Sequence, residues 1–103
     1  MKVTDEGHSY ELDCAPSDDA PLCRAPQAID FMKRIDGKMV MCGTTNEEVL
    51  AMMINRLEYL QQKLPCKENA LVLIKLQEAL MWLNARTKKR VEQGVETTDT
   101  PHK

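Results

Sequence analysis

The sequence predicts a mainly α fold: an antiparallel helical hairpin preceded by a short β-hairpin and assembled as a homo-oligomer. Three observations predict it. Asp36-Gly37 divides two short apolar runs. Thr45-Asn46-Glu47-Glu48 opens a stretch whose apolar residues recur three and four apart. Residues 67 to 93 carry apolar side chains almost all round a helix.

In chain order, residues 1–27 come first. They hold Asp5, Glu6, Glu11, Asp13, Asp18 and Asp19 with Pro16, Pro21 and Pro26, and few large apolar residues. Such a segment buries too little surface to offset its ordering entropy, so it reads as an acidic, flexible arm. Residues 96–103, ETTDTPHK, read as a disordered tail on the same ground. Residues 28–95 remain as one folded region for oligomerisation and ligand binding. At that size a single core is marginal, and association is a common remedy.

Residues 31–42, FMKRIDGKMVMC, read as a hairpin, because Asp-Gly suits the type I′ turn with φ > 0 at both central positions. A two-residue turn there sets Ile35 opposite Lys38, Lys33 opposite Val40 and Phe31 opposite Cys42. Met32, Arg34, Met39 and Met41 then share the other face. Gly43 and Thr44 break the strand. Thr45 can cap the first helix while Glu48 reaches back, the capping-box arrangement. That helix should run to about Lys63, with Leu50, Met53, Leu57, Leu60 and Leu64 as its seam and Val49, Met52 and Tyr59 beside it. Leu64-Pro65-Cys66 makes the break, since proline disfavours a helical residue before it. The second helix should run from near Cys66 to near Gln93, roughly 40 Å, with Gly94 as its C′ residue.

Joined by so short a turn, the helices form a helical hairpin. Leu73, Leu76, Leu80 and Leu83 can mate with the first helix. Leu71, Ile74, Met81 and Trp82 are left over on other sides. Apolar patches of that extent usually mark an interface. Either a sister chain covers them, or the β-hairpin does so within one protomer.

Composition argues against several functions. The net charge is only −2, with the arm acidic and Arg86, Lys88, Lys89 and Arg90 clustered late in the second helix, so DNA is not an expected partner. The late basic cluster also suits the helix dipole. There is no apolar run long enough for a membrane span, and no leader pattern, which points to the cytoplasm. Cys14, Cys23, Cys42 and Cys66 are irregularly spaced without a CxxC pair, and read as reduced, partly buried thiols rather than a metal set. The histidines, His8 and His102, fall in the two arms, so no general base stands in the folded region, and there is no phosphate-cradling glycine loop. Catalytic residues, metal and cofactor are all expected to be none. Binding remains. Trp82, Asn84 and Arg86 supply a stacking plane, an amide and a cation, the groups a nucleotide asks for. From the residues alone, Trp82 reads rather as interface core and Lys75 as a solvated surface charge.

Lys67-Glu68-x-Ala70-Leu71, Lys75-Leu76-Gln77-Glu78-Ala79 and Trp82 resemble the second helix of the phage-encoded sponges that sequester cyclic nucleotide signals of bacterial immunity, the anti-CBASS and anti-Thoeris helical-hairpin family. Asn46-Glu47 and Asn55-Arg56-Leu57 resemble its first helix, so the likeness covers about residues 43 to 95. Ile74 stands where that family has threonine, Cys66 where a serine cap is common, and Gln77 for a usual glutamate. The resemblance implies homo-oligomers, often hexamers, with ligands held between protomers.

The resulting expectation is a phage anti-defence protein without enzymatic activity, acting in the cytoplasm of the infected host. It would bind cyclic di- or trinucleotides or cyclic ADP-ribose isomers and keep them from CBASS and Thoeris effectors. Its expected contacts are Arg34 and Lys38 in the β-hairpin, Arg56 and Tyr59 on the first helix, and Lys75, Trp82, Asn84 and Arg86 on the second. The cations would hold phosphate, Tyr59 and Trp82 would stack, and Asn84 would read a base edge. The alternative is a helical interaction protein that inhibits a host protein through its apolar face or acidic arm.

Overall fold

The computed structural model describes residues 1–15 and 26–92. In order they form β1 (Lys2–Asp5), β2 (Ser9–Leu12), β3 (Gln27–Asp30), β4 (Lys33–Ile35), β5 (Lys38–Met41), α1 (Asn46–Lys63) and α2 (Lys67–Glu92). The chain divides into two compact units, Met1–Thr44 and Thr45–Lys103.

In the first unit, β1, β2 and β3 make an antiparallel sheet in that order. Lys2–Asp5 and Ser9–Leu12 are therefore strands, where the sequence reading expected an arm. Tyr10 lies opposite Ile29 in the register, and its ring meets Phe31 edge-on, with centroids 5.9 Å apart and planes at 87°. This small aromatic contact gives the charged strands something to fold against. The turn between β1 and β2 contains Gly7 at φ 77° and His8, whose amide donates to the Asp5 carbonyl at 2.9 Å. His8 thus belongs to a structured turn, not to a loose arm. Residues 16–25, with Cys23 among them, lie outside the described residues, as do residues 93–103 with Gly94 and the expected tail.

The second hairpin forms as expected at its turn. Asp36 and Gly37 have φ of 53° and 76°, the two positive values a type I′ connection needs. Ile35 pairs with Lys38, but the register then shifts: Arg34 pairs with Met39 and Lys33 with Met41. Val40 is the extra residue of a bulge, so Lys33 does not face it. Phe31 does not face Cys42 either; it bridges to Thr44 in the parallel sense. The cause lies in the backbone beyond the hairpin. Phe31 N–H donates to the His8 carbonyl, Met32 N–H to the Thr44 carbonyl and Thr44 N–H to the Asp30 carbonyl. Those bonds draw Gly43 against residues 30 and 31, where a Cβ would come within 2.5 Å of the Asp30 carbonyl oxygen. Only glycine fits there.

In the second unit, the Thr45 hydroxyl accepts from the Glu48 amide at 3.1 Å, capping α1. At the turn between helices, the Gln61 side-chain amide clamps Cys66 from both sides. Its Nε2 donates to the Cys66 carbonyl at 3.0 Å, and its Oε1 accepts from the Cys66 amide at 3.1 Å. Cys66 Sγ in turn accepts from the Asn69 amide at 3.4 Å, a thiol where a serine hydroxyl would ordinarily cap. At the other end Thr87 Oγ1 donates to Glu47 Oε2 at 3.4 Å. The two ends fix the antiparallel register of the hairpin.

Leu50, Met53, Leu57 and Leu60 of α1, and Leu73, Leu76, Leu80 and Leu83 of α2, are half-buried, as the seam reading requires. Leu64 is not part of it: at 79% exposure it is the C-cap residue, turned off the helix by Pro65. Leu71, Ile74, Met81 and Trp82 are exposed, and among the described residues no apolar side chain is buried. Cys14, Cys42 and Cys66 are likewise exposed rather than partly buried.

Candidate functional site

α2 is unbroken over 26 residues, so the angular position of each side chain follows from about 100° per residue. Lys75, Trp82 and Arg86 fall in one row along it. On α1, Met52, Arg56, Tyr59 and Lys63 fall in another. Each row lies about 80–140° round from its own seam, in the same rotational sense along the chain. Because the helices are antiparallel, equal offsets of that kind bring both rows to one side of the hairpin. With Thr87 beside Glu47, Trp82 stands near the level of Met52, and Lys75 near the level of Tyr59.

Five of the eight expected contacts thus share one solvent-facing side: Arg56, Tyr59, Lys75, Trp82 and Arg86, all exposed. Trp82 is 65% exposed, so one face of its indole is open for stacking. Asn84 does not join them. Two residues beyond Trp82 is about 200° of helix, which sets its amide on the other side of the hairpin. It therefore cannot read the edge of a base stacked on Trp82 of the same protomer.

Arg34 and Lys38 belong to the first unit and lie on opposite faces of the β4–β5 ribbon, since Lys38 is paired with Ile35 and Arg34 with Met39. Lys38 is exposed. The Arg34 Nε is buried and makes no hydrogen bond among the described residues. A buried guanidinium N–H without an acceptor is unusual. Neighbouring Lys33 is engaged instead, its Nζ 3.2 Å from Asp5 Oδ2.

The sequence reading passed over Lys63. Its ammonium lies 5.2 Å from the centre of the Tyr59 ring, within cation–π range. The signal was present, since Tyr59 and Lys63 are four apart on a helix and so meet on its surface. Cations dominate this side of the hairpin: Arg56, Lys63, Lys75 and Arg86, with Glu68 as the carboxylate in the same sector near the interhelical turn. Among the described residues there is no group of His, Cys, Asp and Glu placed to hold a metal ion. No helix among them is long and apolar enough to cross a membrane.

The model of the Acb2/Tad1 hairpin domain matches residues 35–88, which take in β5, α1 and most of α2. Thoeris anti-defense 1 of Bacillus phage SBSphiJ7 is 53% identical over 57 residues, 54% of this chain and 40% of that protein. The chain therefore spans about two-fifths of that relative's length. Seven of the expected contact residues lie inside the matched segment, and Arg34 is one residue short of it.

Proposed function

The chain belongs to the Acb2/Tad1 hairpin domain family, and from that premise we propose that it is a catalytically inert phage sponge for cyclic nucleotide immune signals. It binds cyclic dinucleotides, cyclic trinucleotides or cyclic ADP-ribose isomers, leaves them intact, and so keeps CBASS and Thoeris effectors inactive in the cytoplasm of the infected bacterium. The observation that carries this reading is the gathering of two aromatic planes and several cations on one open side of the helical hairpin. Base stacking contributes about 1–3 kcal/mol per base, and charge-assisted hydrogen bonds hold phosphate. Tyr59 and Trp82 stack; Arg56, Lys75 and Arg86, with Arg34 and Lys38, contact phosphate. The name of the phage relative, an anti-defense protein against Thoeris, supports the same reading.

Residues 28–95 carry binding and assembly in this proposal. Sequestration needs tight binding: Kd of about 1 nM corresponds to about −12.3 kcal/mol. One exposed face of a two-helix unit holds a ligand from one side only. A homo-oligomer, with a hexamer as the form its resemblance to the sponges suggests, would enclose the ligand between protomers and preorganise the contacts. The exposed row of Leu71, Ile74, Met81 and Ala85, opposite the seam, supports such an assembly, because spacings of three, seven and four keep these residues on one face of the helix, with Glu78 between them. Asn84, set away from Trp82 in its own protomer, meets a base only across such a contact.

Thermal unfolding with a panel of the three ligand classes tests the proposal, since a bound ligand raises the melting point by mass action. At least one class is expected to raise it by several degrees, and heat is expected to release the same molecule unaltered. Indifference to all three classes contradicts the reading and favours a protein partner on the apolar stripe. A cleaved product contradicts inertness.

A further inference from the structure

We infer that Lys63 is a phosphate contact of the ligand-binding face, working as a pair with Tyr59. The inference rests on the sponge reading and deepens it. Its starting point is the ammonium lying 5.2 Å from the centre of the Tyr59 ring. That position places the cation on the ring surface a base would occupy. A base that stacks there displaces the Lys63 head group but not its stem, which is anchored one turn away on the same row of α1. The displaced ammonium stays within a few ångströms of the stacked base, where the sugar-linked phosphate of a nucleotide must lie. It exchanges a cation–π contact for a charged hydrogen bond, the stronger of the two at an exposed site.

The surroundings favour that exchange. Lys75 stands near the level of Tyr59 on the facing helix, and Arg56 is one turn earlier on α1, so the phenol is flanked by cations. The nearest carboxylate in this sector, Glu68, makes no ion pair with Lys63 among the described residues, where Lys33–Asp5 is the side-chain pair within 4.0 Å. Lys63 is exposed, so its replacement does not disturb the seam.

The test measures affinity for a cyclic dinucleotide, a cyclic trinucleotide and a cyclic ADP-ribose isomer in the full chain and in Lys63→Gln and Lys63→Arg, at low salt and at about 1 M salt. Circular dichroism confirms equal helicity. Lys63→Gln is expected to weaken the bound class about tenfold at low salt, with the gap narrowing to about twofold at high salt, where exposed charges are screened. Lys63→Arg, which keeps the charge and can fork onto phosphate, is expected to recover most of the loss. Equal affinity of Lys63→Gln and the parent at low salt overturns the role of Lys63 and leaves the sponge reading standing. A loss that salt does not narrow, or that arginine does not recover, overturns it too. Absence of binding by the parent chain to all three classes overturns the sponge reading itself.

Discussion

The inner and outer stripes of α2 carry nearly the same residue types and meet different fates. Leu73, Leu76, Leu80 and Leu83 repeat at three, four and three and are half-buried against α1. Leu71, Ile74 and Met81, with Ala85, stand on the far side at spacings of three, seven and four, with Glu78 in the gap, and are exposed. Hydrophobicity alone does not distinguish them; the first helix chooses one. The choice is fixed at the ends, by Thr87 on Glu47 and by the Gln61 clamp on Cys66. A helix with two packing stripes and one intramolecular partner is unfinished as a monomer, and on our proposal the second stripe belongs to other copies.

Substitutions on the two stripes should separate them. Leu76→Asp puts a carboxylate into the seam, where an unpaired charge has no partner. The expected result is loss of the helical fold, a destabilisation above about 4 kcal/mol, seen as collapse of the helical circular dichroism signal. Met81→Asp makes the same chemical change outside the seam. It should dissociate the assembly, read by sedimentation, and leave a protomer that is less stable than the assembled parent yet still helical where Leu76→Asp is not. Were both variants to unfold equally, the difference between the stripes would be an artefact of exposure.

Smaller changes sharpen the comparison. Trp82→Ala sits between the ligand row and the outer stripe. Retained assembly with ligand affinity reduced about tenfold to a hundredfold, measured by calorimetry, assigns it to stacking. Collapse of the assembly assigns it to packing instead. Gln61→Ala removes the clamp at the turn and leaves the Cys66 amide to water, while the Cys66 carbonyl keeps the Ala70 amide. It should lower stability by about 1 kcal/mol, a few degrees in Tm, without altering ligand preference.

Where signals were local, the sequence was legible. Asp36-Gly37 announced its turn, Thr45 its cap, and the leucine spacing its seam. The surplus of apolar surface on α2 was visible from the residues alone. The three-stranded sheet was not, because its strands are four residues long, and their large apolar members, Val3, Tyr10, Leu12 and Ile29, are few and set among polar and charged residues. Its third strand also lies fourteen residues beyond the second, and pairing over that distance leaves no periodic trace. The bulge at Val40 was hidden for a related reason: it is imposed by hydrogen bonds from residues 30–32 to Thr44 and His8, outside the hairpin. In the site, Arg56, Tyr59, Lys75, Trp82 and Arg86 share a side because their spacings are near multiples of a helical turn. Asn84 was grouped with Trp82 by proximity in sequence, which on a helix means opposite directions. Lys63 was legible in principle, since its spacing from Tyr59 makes the two meet on a helix, but that spacing alone does not say that the ammonium lies on the ring.

Sedimentation equilibrium of the purified chain from low to high micromolar concentration tests the central claim most directly. The protomer mass is 11.7 kDa. A mass of two or more whole protomers, held across the range, is the expected result. A stably folded, fully helical species at the protomer mass would contradict the account, because the outer stripe of α2 would then need no second copy.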